Sequence, residues 1–156
     1  MKPTKLMHLA LLFAIVFTAS ILFASYESSP EMKKRRADAV EHYKKTTKFK
    51  DSVINAVAAV PREFFVPADK QKQTYEEVNI PIGFGQTITN PWFVAHMTNL
   101  LELKPTDKVL EIGSGSGYQA SILYQITKDV FSIEIVEPLA KQALARWKEL
   151  GFTNIK

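Results

Sequence analysis

The sequence predicts an α/β protein whose carboxyl-terminal half builds a parallel, doubly wound sheet. Three observations predict it. Two β-type apolar runs, "KVLEI" (108–112) and "VFSIEI" (130–135), are each followed by a segment of helical period. Three glycines within five residues, Gly113, Gly115 and Gly117, follow the first run directly. Pro138 opens the last periodic segment and Gly151 stops it, the expected punctuation of a helix. The order β-α-β-α with a right-handed crossover then sets the glycine loop at the carboxyl end of the first strand.

The 156 residues, 46% hydrophobic and 23% charged, suffice for one globular core and exclude a disordered or fibrous chain. The absence of cysteine excludes disulfides, thiolate catalysis and cysteine-bound zinc. His8, His42 and His96 form no ligand-spaced pair, so no metal is expected. The net charge of +4 is too mild to indicate a nucleic-acid partner, and none is expected.

Taken in order, residues 1–25 carry Lys2 and Lys5 ahead of the apolar run "LALLFAIVFTASILFA" (9–24), which has the pattern of a signal peptide or membrane anchor. No good cleavage site follows, and "KKRR" (33–36) resists translocation. A cleaved signal, an exported but tethered domain, and a tethered domain left inside all remain open. Export or membrane anchoring through residues 6–24 is the expected localisation. Residues 26–50 read as a charged linker or solvated helix, with eight Lys or Arg residues between 31 and 50 against Glu31, Asp38 and Glu41.

Residues 51–156 form the main domain. Val53, Ala56, Val57 and Val60 make a short amphipathic helix that Pro61 ends. "PREFFVP" reads as an extended connector, and "PIGFGQTITNP" as a loop ending at Pro91, the first residue of a helix. That helix is expected to turn Phe93, Met97, Leu100 and Leu101 inward. The strand 108–112 is expected to be buried and followed by a helix over 116–126. After the second strand, the last helix is expected to present Ala140, Ala143, Trp147 and Leu150 to the core.

A glycine loop between a strand and a helix exposes backbone N–H groups and a positive dipole end, which suits a nucleotide-like ligand. Its spacing is G-x-G-x-G, one residue short of the dinucleotide fingerprint, and Glu111 stands two residues before the first glycine. Glu134 ends the second strand 21 residues after Gly113 (134 − 113), where a carboxylate accepts from ribose hydroxyls. A nicotinamide cofactor is the competing ligand.

"EIGSGSG" is similar to the first motif of S-adenosylmethionine (AdoMet) methyltransferases, acidic-x-G-x-G-x-G. In order along the chain, "AVAAVPREFFVP", "IPIGFGQTITNPWFVAHMTNLLEL", "VLEIGSGSGYQAS" and "SIEIVEPLAKQA" resemble protein-L-isoaspartate O-methyltransferase over about residues 51–156. The resemblance implies the Rossmann-like methyltransferase fold, of which this chain holds the amino-terminal part. It also implies AdoMet as cofactor, L-isoaspartyl residues of damaged proteins as substrate, and repair by methyl transfer to their free carboxylate. Thr89, where the family usually has serine, takes the catalytic position. The cofactor-binding residues would be Gln86, Thr87, Ile88, Glu111, Gly113, Ser114, Gly115, Ser116, Gly117 and Glu134. Thr89 as a mere helix cap is the alternative role. Trp92 and Phe93 could line a peptide groove, although Phe93 is assigned to the core. The family's pattern continues past residue 156 with a third strand and a G-D-G loop, so the chain is expected to be incomplete and its own activity open. Two other functions stay in competition: a membrane-tethered, non-catalytic binding module, and an AdoMet methyltransferase with a different substrate.

Overall fold

The computed structural model describes residues 26–156, so the apolar run at 9–24 lies outside the described residues. Ser29 opens the first helix, α1 (Pro30–Thr46), by accepting a hydrogen bond from the Met32 amide at 3.2 Å, with Pro30 pre-set for the first turn. Most of α1 is solvated, as its charge implies, but Val40 and Tyr43 are buried in the main core. It is therefore a packed element and no linker. Helix α2 (Asp51–Ala59) follows and buries Val53, Ile54, Ala56 and Val57.

Two expectations change at the next elements. "PREFFVP" is not extended, because residues Arg62–Phe65 close a 3-10 turn that buries Arg62, Glu63 and Phe65. The glycine-rich loop is a β-hairpin, β1 (Ile80–Gly83) antiparallel to β2 (Gln86–Ile88). Its tip is Phe84 and Gly85, both at positive φ, which is the twist a two-residue hairpin needs. Asn90 then caps helix α3 (Pro91–Leu100) by accepting from the Phe93 amide at 2.8 Å.

Helix α3 turns the opposite way from the expected stripe. Phe93 is 43% and Leu100 65% exposed, with Met97 and Leu101 also outward, while Val94, Ala95 and Thr98 are buried. The helix is apolar around most of its circumference, so periodicity does not choose a face. Its short side chains allow close packing on neighbouring helices, and that contact decides.

The parallel unit has strands β3 (Lys108–Ile112) and β4 (Asp129–Ile133) in register, joined by α4 (Tyr118–Ile126) and followed by α5 (Glu137–Glu149). Ile155 starts parallel pairing on the outer side of β4. The inner face of α5 is Leu139, Ala143 and Trp147, with Leu139 in place of the expected Ala140. Strand β3 is not buried throughout. Leu110 and Ile112, on one face, are 55% and 74% exposed, and among the described residues β3 pairs with β4 alone. One core joins α1, α2, the hairpin, α3 and α4, and a smaller one joins α4, β4 and α5.

Candidate active site

A cavity of about 380 Å³ opens between the hairpin exit and the carboxyl end of β3. Thr87, Ile88 and Thr89 form one wall, the run from Glu111 to Ser116 forms the other, and Met97, Leu101 and Tyr118 complete it. Ile82 of the hairpin lies close over the glycine loop, because a Cβ on Gly115 would stand 3.5 Å from its Cδ1. The walls come from segments more than 20 residues apart, and the packing of α3 on α4 brings them together.

The glycines divide by role. A Cβ on Gly113 would meet no atom within 4 Å, so its bare backbone faces the open cavity. A Cβ on Gly117 would fall 2.8 Å from Trp147 Nε1, a distance no side chain tolerates. Trp147 Nε1 also donates to the Gly117 carbonyl at 2.9 Å. Gly117 therefore lets α5 dock against the start of α4, and it lies outside the cavity lining.

The loop does not present its N–H groups as expected. Gly113 and Ser114 both donate to the Ile133 carbonyl, at 2.7 and 3.3 Å, and Gly117 donates to Ser114 O at 2.7 Å. Gly115 donates to Glu134 Oε2 at 2.7 Å. Such a loop offers little to a diphosphate, which needs several free donors at one point. What the cavity wall offers instead is Glu111 of β3, a residue only 9% exposed. Desolvation raises the pKa of its carboxyl to about 7, against the opposing hydrogen bonds of Ser132 and the Ala120 amide. Glu134 adds to the rise as a like charge.

Ser132 was not legible as a site residue until the strand register was known. It sits directly opposite Glu111 in the parallel pair, and its hydroxyl donates to Glu111 Oε2. Ser114 Oγ lies 2.7 Å from Ser132 Oγ, so a chain of hydroxyls joins the buried carboxyl to the glycine loop. Ser116 is also buried, and its hydroxyl accepts from the Tyr118 amide at 3.4 Å.

Glu134 lies outside the cavity lining and works on the loop. It accepts from Gly115 and from the Val136 amide at 2.8 Å. Desolvation pushes this carboxyl up, yet the amides of Val136, Gly115 and Ile135 outweigh it and hold it below the usual range. Gln86 is exposed on β2 and also lies outside the lining. Thr89 is half-buried at the wall, and its carbonyl accepts from Arg62 Nη2 at 2.7 Å. The capping role belongs to Asn90, which leaves the Thr89 side chain free of that duty.

Residues 34–156 match the family model described as protein-L-isoaspartate(D-aspartate) O-methyltransferase. The chain is 49% identical over 105 residues to the protein-L-isoaspartate O-methyltransferase of Opitutus terrae, covering 67% of this chain and 45% of that protein. It is 52% identical over 105 residues to protein-L-isoaspartate O-methyltransferase 1 of Nitrosospira multiformis, with 67% and 44% covered. With its Dictyoglomus turgidum counterpart the identity is 42% over 127 residues, covering 81% and 58%. The chain thus spans about half the length of the curated relatives it matches. Among solved structures, a protein-L-isoaspartate O-methyltransferase superposes with a TM-score of 0.67 at 23% identity, covering 77% of this chain and 40% of that one. A candidate enzyme of the same kind from Plasmodium falciparum, in complex with S-adenosyl-L-homocysteine, gives 0.64 at 24%, covering 76% and 60%. At such identities these two show the fold alone.

Proposed function

Since this chain belongs to the protein-L-isoaspartate(D-aspartate) O-methyltransferase family, we propose that its cavity binds AdoMet and directs methyl transfer to the free carboxylate of L-isoaspartyl residues in damaged proteins. The observation that carries the proposal is the glycine loop with its donors turned inward and a buried carboxyl, Glu111, at the cavity wall. That set suits a ligand bearing positive charge better than a dinucleotide bearing phosphates. The bare backbone of Gly113 leaves room for close approach.

AdoMet supplies an activated methyl group on a sulfonium. The chain's own residues bind and aim. In this reading Gly113, Ser114, Gly115 and Ser116 shape one wall, and Glu111 offers its carboxyl to the ligand's cationic part. Thr87, Ile88 and Thr89 form the facing wall, toward the accepting carboxylate. That carboxylate is already ionised at neutral pH, because its pKa lies near 4, so no general base is required. In this reading the Thr89 hydroxyl would donate to one oxygen of the accepting carboxylate. Its extra methyl, relative to serine, stiffens χ1 and narrows the aim without removing the donor. Excluding water and fixing the approach supply the acceleration.

The test is transfer of labelled methyl from AdoMet to an isoaspartyl peptide and to its normal aspartyl twin. Labelling of the isoaspartyl peptide alone is expected. Thr89→Ala should lower kcat by about 10- to 100-fold, and Thr89→Ser should at least preserve it. Equal labelling of both peptides would contradict the repair function.

The apolar run after Lys2 and Lys5 supports a further part of the proposal, that the domain is exported or held at a membrane by residues 6–24. Among the described residues, no helix is long and apolar enough to cross a membrane. Cell fractionation with and without residues 1–25 tests this part.

A further inference from the structure

Arg62 is fully buried, at 0% exposure. A buried guanidinium normally meets a carboxylate, because its desolvation is otherwise uncompensated. The adjacent Glu63 does not serve, being engaged by the Tyr75 hydroxyl and paired with Arg36 at 4.0 Å. Arg62 instead directs Nε and Nη2 at backbone carbonyls, while its buried Nη1 meets no hydrogen-bond acceptor. Nε donates to Thr74 O at 2.8 Å and Nη2 to Thr89 O at 2.7 Å, while the guanidinium carbon stands 4.8 Å from the centre of the Tyr118 ring.

The three partners belong to three different parts of the site. Thr74 precedes the hairpin, Thr89 follows the hairpin strand at the cavity wall, and Tyr118 opens α4 directly after the glycine loop. Thr89 and Tyr118 both line the cavity. A planar fork can hold two carbonyls in fixed directions and still stack on a ring, which an ammonium cannot do. We propose that Arg62 is a positioning residue that locks the Thr89 wall to the Tyr118 end of the glycine loop, so that the two halves of the cavity keep one spacing.

The lock itself is a statement about structure, whereas its catalytic consequence rests on the methyl-transfer reading above. Hydrogen–deuterium exchange by mass spectrometry separates the two. In the full chain, Arg62→Gln and Arg62→Lys are compared with the wild type, with circular dichroism to confirm folding. Exchange in segments 86–90 and 113–118 should rise together by about tenfold in Arg62→Gln, with rates in α2 and α5 unchanged. Arg62→Lys, which keeps the charge but loses the fork, should fall between. For turnover, kcat should drop by about 30-fold with the KM for AdoMet nearly constant, because spacing and not affinity is lost. Unchanged exchange in a folded variant, a rise spread evenly over every helix, or unfolding of both variants would overturn the proposal in favour of plain structural burial. A wild-type chain that shows no turnover, with the paired exchange response intact, would count against methyl transfer and leave the lock standing.

Discussion

Glu111 shows at the scale of one residue how a buried carboxyl at a cavity wall costs stability. Its strand register places it against Ser132, and its burial disfavours the ionised form, so the carboxyl titrates near 7 in the folded chain. The folded value lies above the unfolded one of 4.5, hence the native state holds the extra proton between them. Stability contributed by this group is complete below pH 4.5 and is lost as the pH rises through about 7. The loss is on the order of 3 kcal/mol. Glu111→Gln removes the titration. Thermal melts of wild type and variant from pH 4.5 to 8 should therefore diverge in favour of the variant as pH rises, and a constant difference would contradict the assignment. The proposed cationic ligand would compensate the ionised form when bound.

At the scale of elements, the hairpin and α3 act as one arm that brings Thr89 to the cavity. Asn90 is the joint. Its side chain caps α3 at Phe93, and its amide donates to Asn79 Oδ1 at 2.9 Å, just before β1. Asn90→Ala should cost about 1 kcal/mol. Differential scanning calorimetry should show a fall in Tm of roughly 4 °C, and an unchanged Tm would show that the cap is not made in solution. The same arm explains what sequence could not reveal. "PIGFGQTITNP" has too many glycines to read as strand, yet Gly83 and Gly85 supply the positive φ that the turn around Phe84 requires. The buried face of α3 was equally hidden, because Phe93 and Met97 are as apolar as Val94 and Ala95 and only the neighbours decide between them. Reading "PREFFVP" as an extended connector gives no sign that Arg62 and Glu63 are buried, and only tertiary structure shows it.

At the scale of the whole molecule, the legible part was the part built on local rules. The two strands, the helix between them and the Gly151 stop follow from periodicity and punctuation, and the parallel pairing follows from the β-α-β order. The site divided similarly. Thr87, Ile88, Thr89, Glu111 and the run from Gly113 to Ser116 line one cavity, whereas Gln86, Gly117 and Glu134 lie outside its lining. A spacing motif cannot distinguish a glycine facing a ligand from one facing Trp147, because both need bare backbone. The proposed reading gives the cavity a cationic ligand, since the amides of Gly113, Ser114, Gly115 and Gly117 are engaged and Glu111 lines the wall. Isothermal titration of the chain with AdoMet, and separately with a nicotinamide dinucleotide, tests this most directly. Saturable heat at one site with AdoMet and none with the dinucleotide is the predicted result, and heat with the dinucleotide alone would contradict it.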